Sequence, residues 1–95
     1  RDRPLAVPHR VTLAEKARHI HRLLQQGEVF FHILLEQAPT REEVVVTLWA
    51  VLEMFKRRWI IVEQEELFGP IVIRRRSDAD WNGGGEWWSE LEDLA

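Results

Sequence analysis

Apolar and polar positions along this chain recur with two periods, one close to 3.6 residues and one of 2. The first helical stripe is Leu13, Ala17, Ile20, Leu23 and Leu24. Thr12 stands before it and Glu15 three residues on, a Thr-x-x-Glu capping box. Gly27 is placed to end that helix in a left-handed conformation. Residues 28–31 are short and β-prone, a candidate first strand that would pair with a later hairpin. Residues 31–37 follow as a short second helix with Phe30, Ile33 and Leu34 facing inward, and Pro39 ends it. The boundary at Phe30 and Phe31 stays open, because a short apolar run fits a strand and a helix equally well.

The stretch from residue 40 to 73 organises the rest. Thr40-Arg41-Glu42-Glu43 opens a long helix with a second capping box, and its pattern runs to about residue 58. At about 100° per residue, Val44, Leu48, Val51, Leu52 and Phe55 share one side, the expected core face. Val46, Trp49, Ala50, Glu53 and Arg57 lie opposite, a set more apolar than a solvated face requires. Period-2 alternation then marks strands at 59–63 and 71–75, around a turn containing Leu67-Phe68-Gly69-Pro70. Ile60 and Val62 share one face there, and Ile71 and Ile73 share one on the second strand. Gly69 is expected to supply an unusual backbone angle. A long helix feeding directly into a two-stranded ribbon is the second half of a winged helix. The expected class is therefore α+β: a small winged helix-turn-helix with three helices, a short first strand and a C-terminal β-hairpin wing.

Length and charge divide the chain further. Ninety-five residues make one domain. Residues 1–11, with Pro4 and Pro8 and no periodicity, read as the end of a linker. Residues 12–76 form the winged-helix domain, and residues 77–95 an acidic, Trp-rich, flexible tail. All 13 Lys and Arg lie in residues 1–76 against 10 acids, a balance of +3, whereas the tail carries six acids and no base. A balance of +3 is too weak to mark a nucleic-acid binder by composition. The sequence has no cysteine, hence no disulfide framework and no thiolate metal site. It begins at Arg1, as a piece of a longer protein would. No apolar run approaches the ~18 residues needed to span a bilayer, so a cytoplasmic location with no membrane partner is expected.

Candidate chemistry changes this picture little. His19 and His21 are two apart on a helix and diverge; Glu15 with His19, and His32 with Glu36, are each only two ligands, short of a zinc site. No serine–histidine or paired-carboxylate arrangement accompanies an evident pocket, so neither catalysis nor a cofactor is expected. Surface chemistry is more informative. Trp49 with Val46 and Ala50, beside Glu53 and Arg57, has the make-up of a buried anchor ringed by charge; the competing reading folds Trp49 back onto the first helix or the tail. Leu67 and Phe68 at the wing tip are unfavourable in water unless covered, and the alternative tucks Phe68 under the hairpin. A sequence-specific DNA-binding winged helix of a regulator is the competing class, invited by Lys56-Arg57-Arg58 and Arg74-Arg75-Arg76. In such proteins the N-terminal half of the long helix enters the major groove, and here that half presents Glu42 and Glu43 to phosphates. In the tail, Trp87, Trp88, Leu91 and Leu94 share one helical side, which suits a docking motif or a disordered, solubilising end.

Two runs carry a family resemblance: residues 40–54, TREEVVVTLWAVLEM, and residues 62–71, VEQEELFGPI. Together they resemble the C-terminal domain of segregation and condensation protein A, the bacterial kleisin subunit of the SMC condensin complex. Residues 11–27 are similar to that family's entry helix, and the resemblance covers about 8–75. Trp49 stands where the family usually has leucine, and Pro70 where aspartate is usual. The resemblance implies a non-enzymatic winged helix that caps the ATPase head of an SMC protein and helps close a ring holding DNA indirectly. It also implies a nucleoid-associated setting, and, for the full-length protein, a second partner in a segregation and condensation protein B dimer. Val46, Trp49, Ala50, Glu53, Arg57, Leu67 and Phe68 are then the expected interface. A weak homodimer of the isolated fragment is the remaining association to test.

Overall fold

In the computed structural model, which describes residues 11–77 and 89–92, the helices and strands follow the order α1 (Leu13–Leu24), β1 (Val29–Phe30), α2 (Phe31–Glu36), α3 (Arg41–Lys56), β2 (Ile60–Gln64), β3 (Ile71–Arg75) and α4 (Ser89–Glu92). Three helices, a two-residue first strand and a hairpin wing reproduce the expected α+β winged helix, with one short helix added.

Local chemistry sets the boundaries. Thr12 Oγ1 accepts from the Glu15 amide at 3.1 Å while the Glu15 carboxylate accepts from the Thr12 amide at 2.9 Å, so the first capping box is complete. At α3 only half of the box forms. Thr40 Oγ1 caps the Glu43 amide at 3.1 Å, but the Glu43 carboxylate turns away to Lys16 Nζ on α1 at 2.9 Å. Gly27 leaves α1 at φ 142°, a positive angle, though farther from the helix than a left-handed cap. The end of α3 is a Schellman motif: the Trp59 amide reaches Met54 O at 2.9 Å and the Arg58 amide reaches Phe55 O at 3.0 Å. The residue at φ 64° in that motif is Arg58, where glycine is usual.

The sheet is antiparallel in the order β1-β3-β2, with Val29 opposite Ile73 on one side and Val62 opposite Ile73 on the other. Its inner face meets the helices through Ile60 and Ile73, both fully or nearly fully buried. The remaining core is Leu13, Ala14, Ala17, Ile20 and Leu24 of α1, Leu34 of α2, and Ala50, Val51 and Met54 of α3, with Leu91 of α4 joining them. Within α2 only Leu34 is buried; Ile33 and the preceding Phe30 are exposed, contrary to the inward placement expected for them. Two turns of helix present one inward side, and Leu34 takes it.

The face of α3 also differs from expectation. Its buried residues are Thr47, Ala50, Val51, Glu53 and Met54, whereas Leu48, Leu52 and Phe55 point outward. The helix is rotated by about one residue from the orientation that largest-apolar-inward would choose. Three observations explain it. Ala50 is small and fully buried in the core. The Thr47 hydroxyl is satisfied within its own helix, donating to Glu43 O at 2.7 Å. Glu53 is neutralised where it lies, as described below.

Candidate protein-docking surface

The outward rotation of α3 leaves a continuous apolar stripe. Val45, Leu48, Leu52 and Phe55 lie on the side opposite the core, with Leu52 63 % and Phe55 52 % exposed, and Trp49 at its margin. Val45, Leu48, Leu52 and Phe55 were absent from the residues expected on the outer face. Their spacing was visible in the sequence, but in a helix apolar nearly all round, spacing alone does not say which stripe is inside.

Of the residues expected to form an interface, Ala50 is fully buried in the core and Glu53 is nearly buried, which removes both from direct contact with a partner. Val46 and Arg57 are half-buried on the flank between core and stripe. Trp49 is exposed, although its indole N–H reaches back to Glu53 Oε2 at 3.4 Å. Glu53 is the hub of that flank. Lys56 Nζ lies 3.2 Å from Oε2 and Arg57 Nε 3.2 Å from Oε1. Burial pushes the Glu53 acid toward its neutral form, but hydrogen bonds from Lys56, Arg57 and Trp49 outweigh this and hold its pKa below the ordinary value of 4.5. Arg57 also reaches Glu90 Oε1 of α4 at 2.7 Å and stacks over the Trp59 ring at 5.5 Å. The Lys56-Arg57-Arg58 run is thus partly neutralised internally. So is Arg74, which pairs with Glu28 at 3.1 Å and with Glu63.

The wing tip supplies the second apolar group. Leu67 is 80 % and Phe68 92 % exposed, so Phe68 does not plug the hairpin. The Gly69 amide donates to Glu66 O at 2.8 Å, closing a four-residue turn whose third residue, Phe68, sits at φ 64°. The unusual angle expected at Gly69 therefore falls one residue earlier. Glycine is favoured at 69 for a different reason: a Cβ there would crowd the Glu66 carbonyl oxygen at 3.0 Å. Gln64 Nε2 donates to Gly69 O at 2.9 Å and ties the turn to β2. Phe68, Gly69, Pro70 and Ile71 form one wall of an open cleft completed by Phe31 and His32 at the start of α2. An aromatic residue that is both solvent-exposed and held at a positive φ carries two unfavourable terms at once.

Among the described residues, no group of three or more His, Cys, Asp or Glu is placed to hold a metal ion, and no helix is long and apolar enough to cross a membrane. The stripe and the wing tip offer exposed apolar contact surface. Both fall inside residues 5–75, which match the family profile described as segregation and condensation protein ScpA. The chain belongs to the ScpA family. It is 47 % identical over 76 residues to segregation and condensation protein A of Myxococcus xanthus (strain DK1622), covering 77 % of this chain and 26 % of that protein. The same-named protein of Lactococcus lactis subsp. lactis (strain IL1403) is 31 % identical over 70 residues, covering 73 % of this chain and 29 % of the relative. The chain thus spans just over a quarter of the length of the curated ScpA relatives it matches. The resemblance drawn from the long helix and the wing is borne out at the level of the family. The helix α4 lies beyond the matched residues.

Proposed function

We propose that this chain is the C-terminal winged-helix domain of an ScpA-type kleisin, acting without catalysis in chromosome segregation and condensation. It docks on the ATPase head of an SMC protein and helps close the SMC–kleisin ring around DNA, while other parts of the full-length protein engage a segregation and condensation protein B dimer. The reading places the domain in the cytoplasm, at the nucleoid. The observation that carries it is the outward display of Leu48, Leu52 and Phe55 on α3 together with Leu67 and Phe68 on the wing. A small domain that needs every apolar group for its core has no internal reason to hold five of them in water. Trp49, Val46 and Arg57 flank this surface and complete the contact.

The test is affinity for the cognate SMC head. Phe68→Asp and Leu52→Asp are both at exposed positions and are expected to leave the fold intact by circular dichroism. Each is expected to weaken head binding at least tenfold, a loss of about 1.4 kcal/mol. Undiminished binding by both folded variants would remove this surface from the proposal.

A further inference from the structure

Apart from Trp49, the exposed apolar residues of α3 stand at 45, 48, 52 and 55, steps of three, four and three that are those of the a and d positions of a coiled coil. A seam of this kind fits another helix rather than a flat surface. Over its roughly 15 Å length, at ~1.5 Å per residue, a straight α-helix drifts little from a 3.5-residue repeat. What lies beside the seam indicates which helix. Along one flank, at intervals of seven, stand Glu42, Trp49 and Lys56, all exposed. Residues at this flank position face their own kind across an antiparallel pair. A two-fold axis near residue 50 sets Val45 against Phe55 and Leu48 against Leu52 of the second helix. It also sets Glu42 against Lys56, Trp49 against Trp49, and Lys56 against Glu42. Apolar residues thus meet apolar ones, acid meets base at both ends, and two indoles meet at the axis. In a parallel pair this flank position faces the opposite flank of the partner helix, so Glu42 does not meet Lys56 and both attractions are lost.

We infer that the α3 seam pairs with the α3 of a second copy of this chain, antiparallel, with Glu42 and Lys56 exchanged across the two-fold axis. Lys56 is free to make that contact: its side chain is largely exposed, and its 3.2 Å bond to Glu53 duplicates one that Arg57 also supplies. Two heptads bury less than the ~1,200 Å² typical of stable complexes, so the pair is weak and concentration-dependent. Because the seam is part of the surface proposed for the SMC head, self-pairing and head docking compete, but the pairing requires no head and is tested without one.

Sedimentation equilibrium of the 95-residue chain alone is the experiment, with thermal melts to verify folding of each variant. The wild type is expected to shift from monomer to dimer with concentration. Glu42→Lys alone and Lys56→Glu alone each place like charges at both ends and should weaken the dimer at least tenfold. An equimolar mixture of these two variants restores acid-to-base contact at both ends, and should associate as the wild type does. Leu52→Asp should be monomeric throughout and should not be rescued by either. A wild type that stays monomeric up to about 1 mM, or single variants that associate undiminished or remain unrescued on mixing, would overturn the inference.

Discussion

Arg58 and Phe68 share a backbone angle, φ 64°, that residues with a side chain adopt at a cost of about 1–2 kcal/mol. They carry it for different reasons. Arg58 takes it because the Schellman motif must turn α3 into β2 within three residues, and its side chain is exposed and available for replacement. Arg58→Gly relieves the strain and keeps both capping bonds. After the greater chain entropy of glycine is deducted, the domain should gain about 0.5–1 kcal/mol, read as a higher urea midpoint at unchanged slope. Phe68→Gly should stabilise by a similar amount, yet remove the aromatic ring from the wing. A gain of stability joined to a loss of SMC-head binding would separate a residue kept for its partner from one kept for the fold.

At the scale of the elements, most of the fold was legible. Thr12 and Glu15 announced the start of α1, Thr40 the start of α3, and the alternation through Ile60, Val62, Ile71 and Ile73 fixed which side of the hairpin faces in. What the pattern could not settle was rotation and depth. In α3 the inward choice of Thr47 and Glu53 over Leu48 and Leu52 depends on bonds to Glu43 O, Lys56 and Arg57 that no hydrophobic periodicity records. The candidate surface consequently moved by one residue around the helix, losing Ala50 and Glu53 and gaining Val45, Leu48, Leu52 and Phe55, whereas Leu67 and Phe68 stayed outside. The half-formed box at Thr40 has the same origin. Glu43 is drawn off by Lys16, whose side chain is only 8 % exposed, and this pair pins α1 to α3. Glu43→Ala leaves that ammonium buried without its carboxylate and should destabilise the domain by about 3 kcal/mol in urea. Lys16→Met, which removes the charge and keeps the volume, should cost much less.

For the whole molecule, the ionisable groups held by the fold favour neutral pH. Burial lowers the pKa of His19, with Lys16 and Arg22 adding to the effect against Glu43. Burial lowers that of His21 too, helped by Arg75 and Arg22. A histidine whose folded pKa lies below the ordinary 6.5 takes up its proton more readily once unfolded. Stability therefore falls as the pH drops below 6.5 toward the folded values. Glu53, held below 4.5 in the folded state, contributes stability above that pH and loses it as the pH falls through its folded value. Both effects have the same sign and act in succession. Thermal midpoints should decline in two stages on acidification, the first absent in a His19→Gln, His21→Gln variant and the second flattened by Glu53→Gln.

The short helix α4 has a mechanical consequence. Leu91 is sealed into the same core as Leu13 and Ile20, and Glu90 holds Arg57, so segments from near the two ends of this chain are packed against each other. Tension applied between those ends reaches the α1–α4 contact before it reaches the β2–β3 ladder. One turn of helix and one ion pair yield first. The wing and the outer side of α3 then keep their shape, as a fuse protects the circuit behind it.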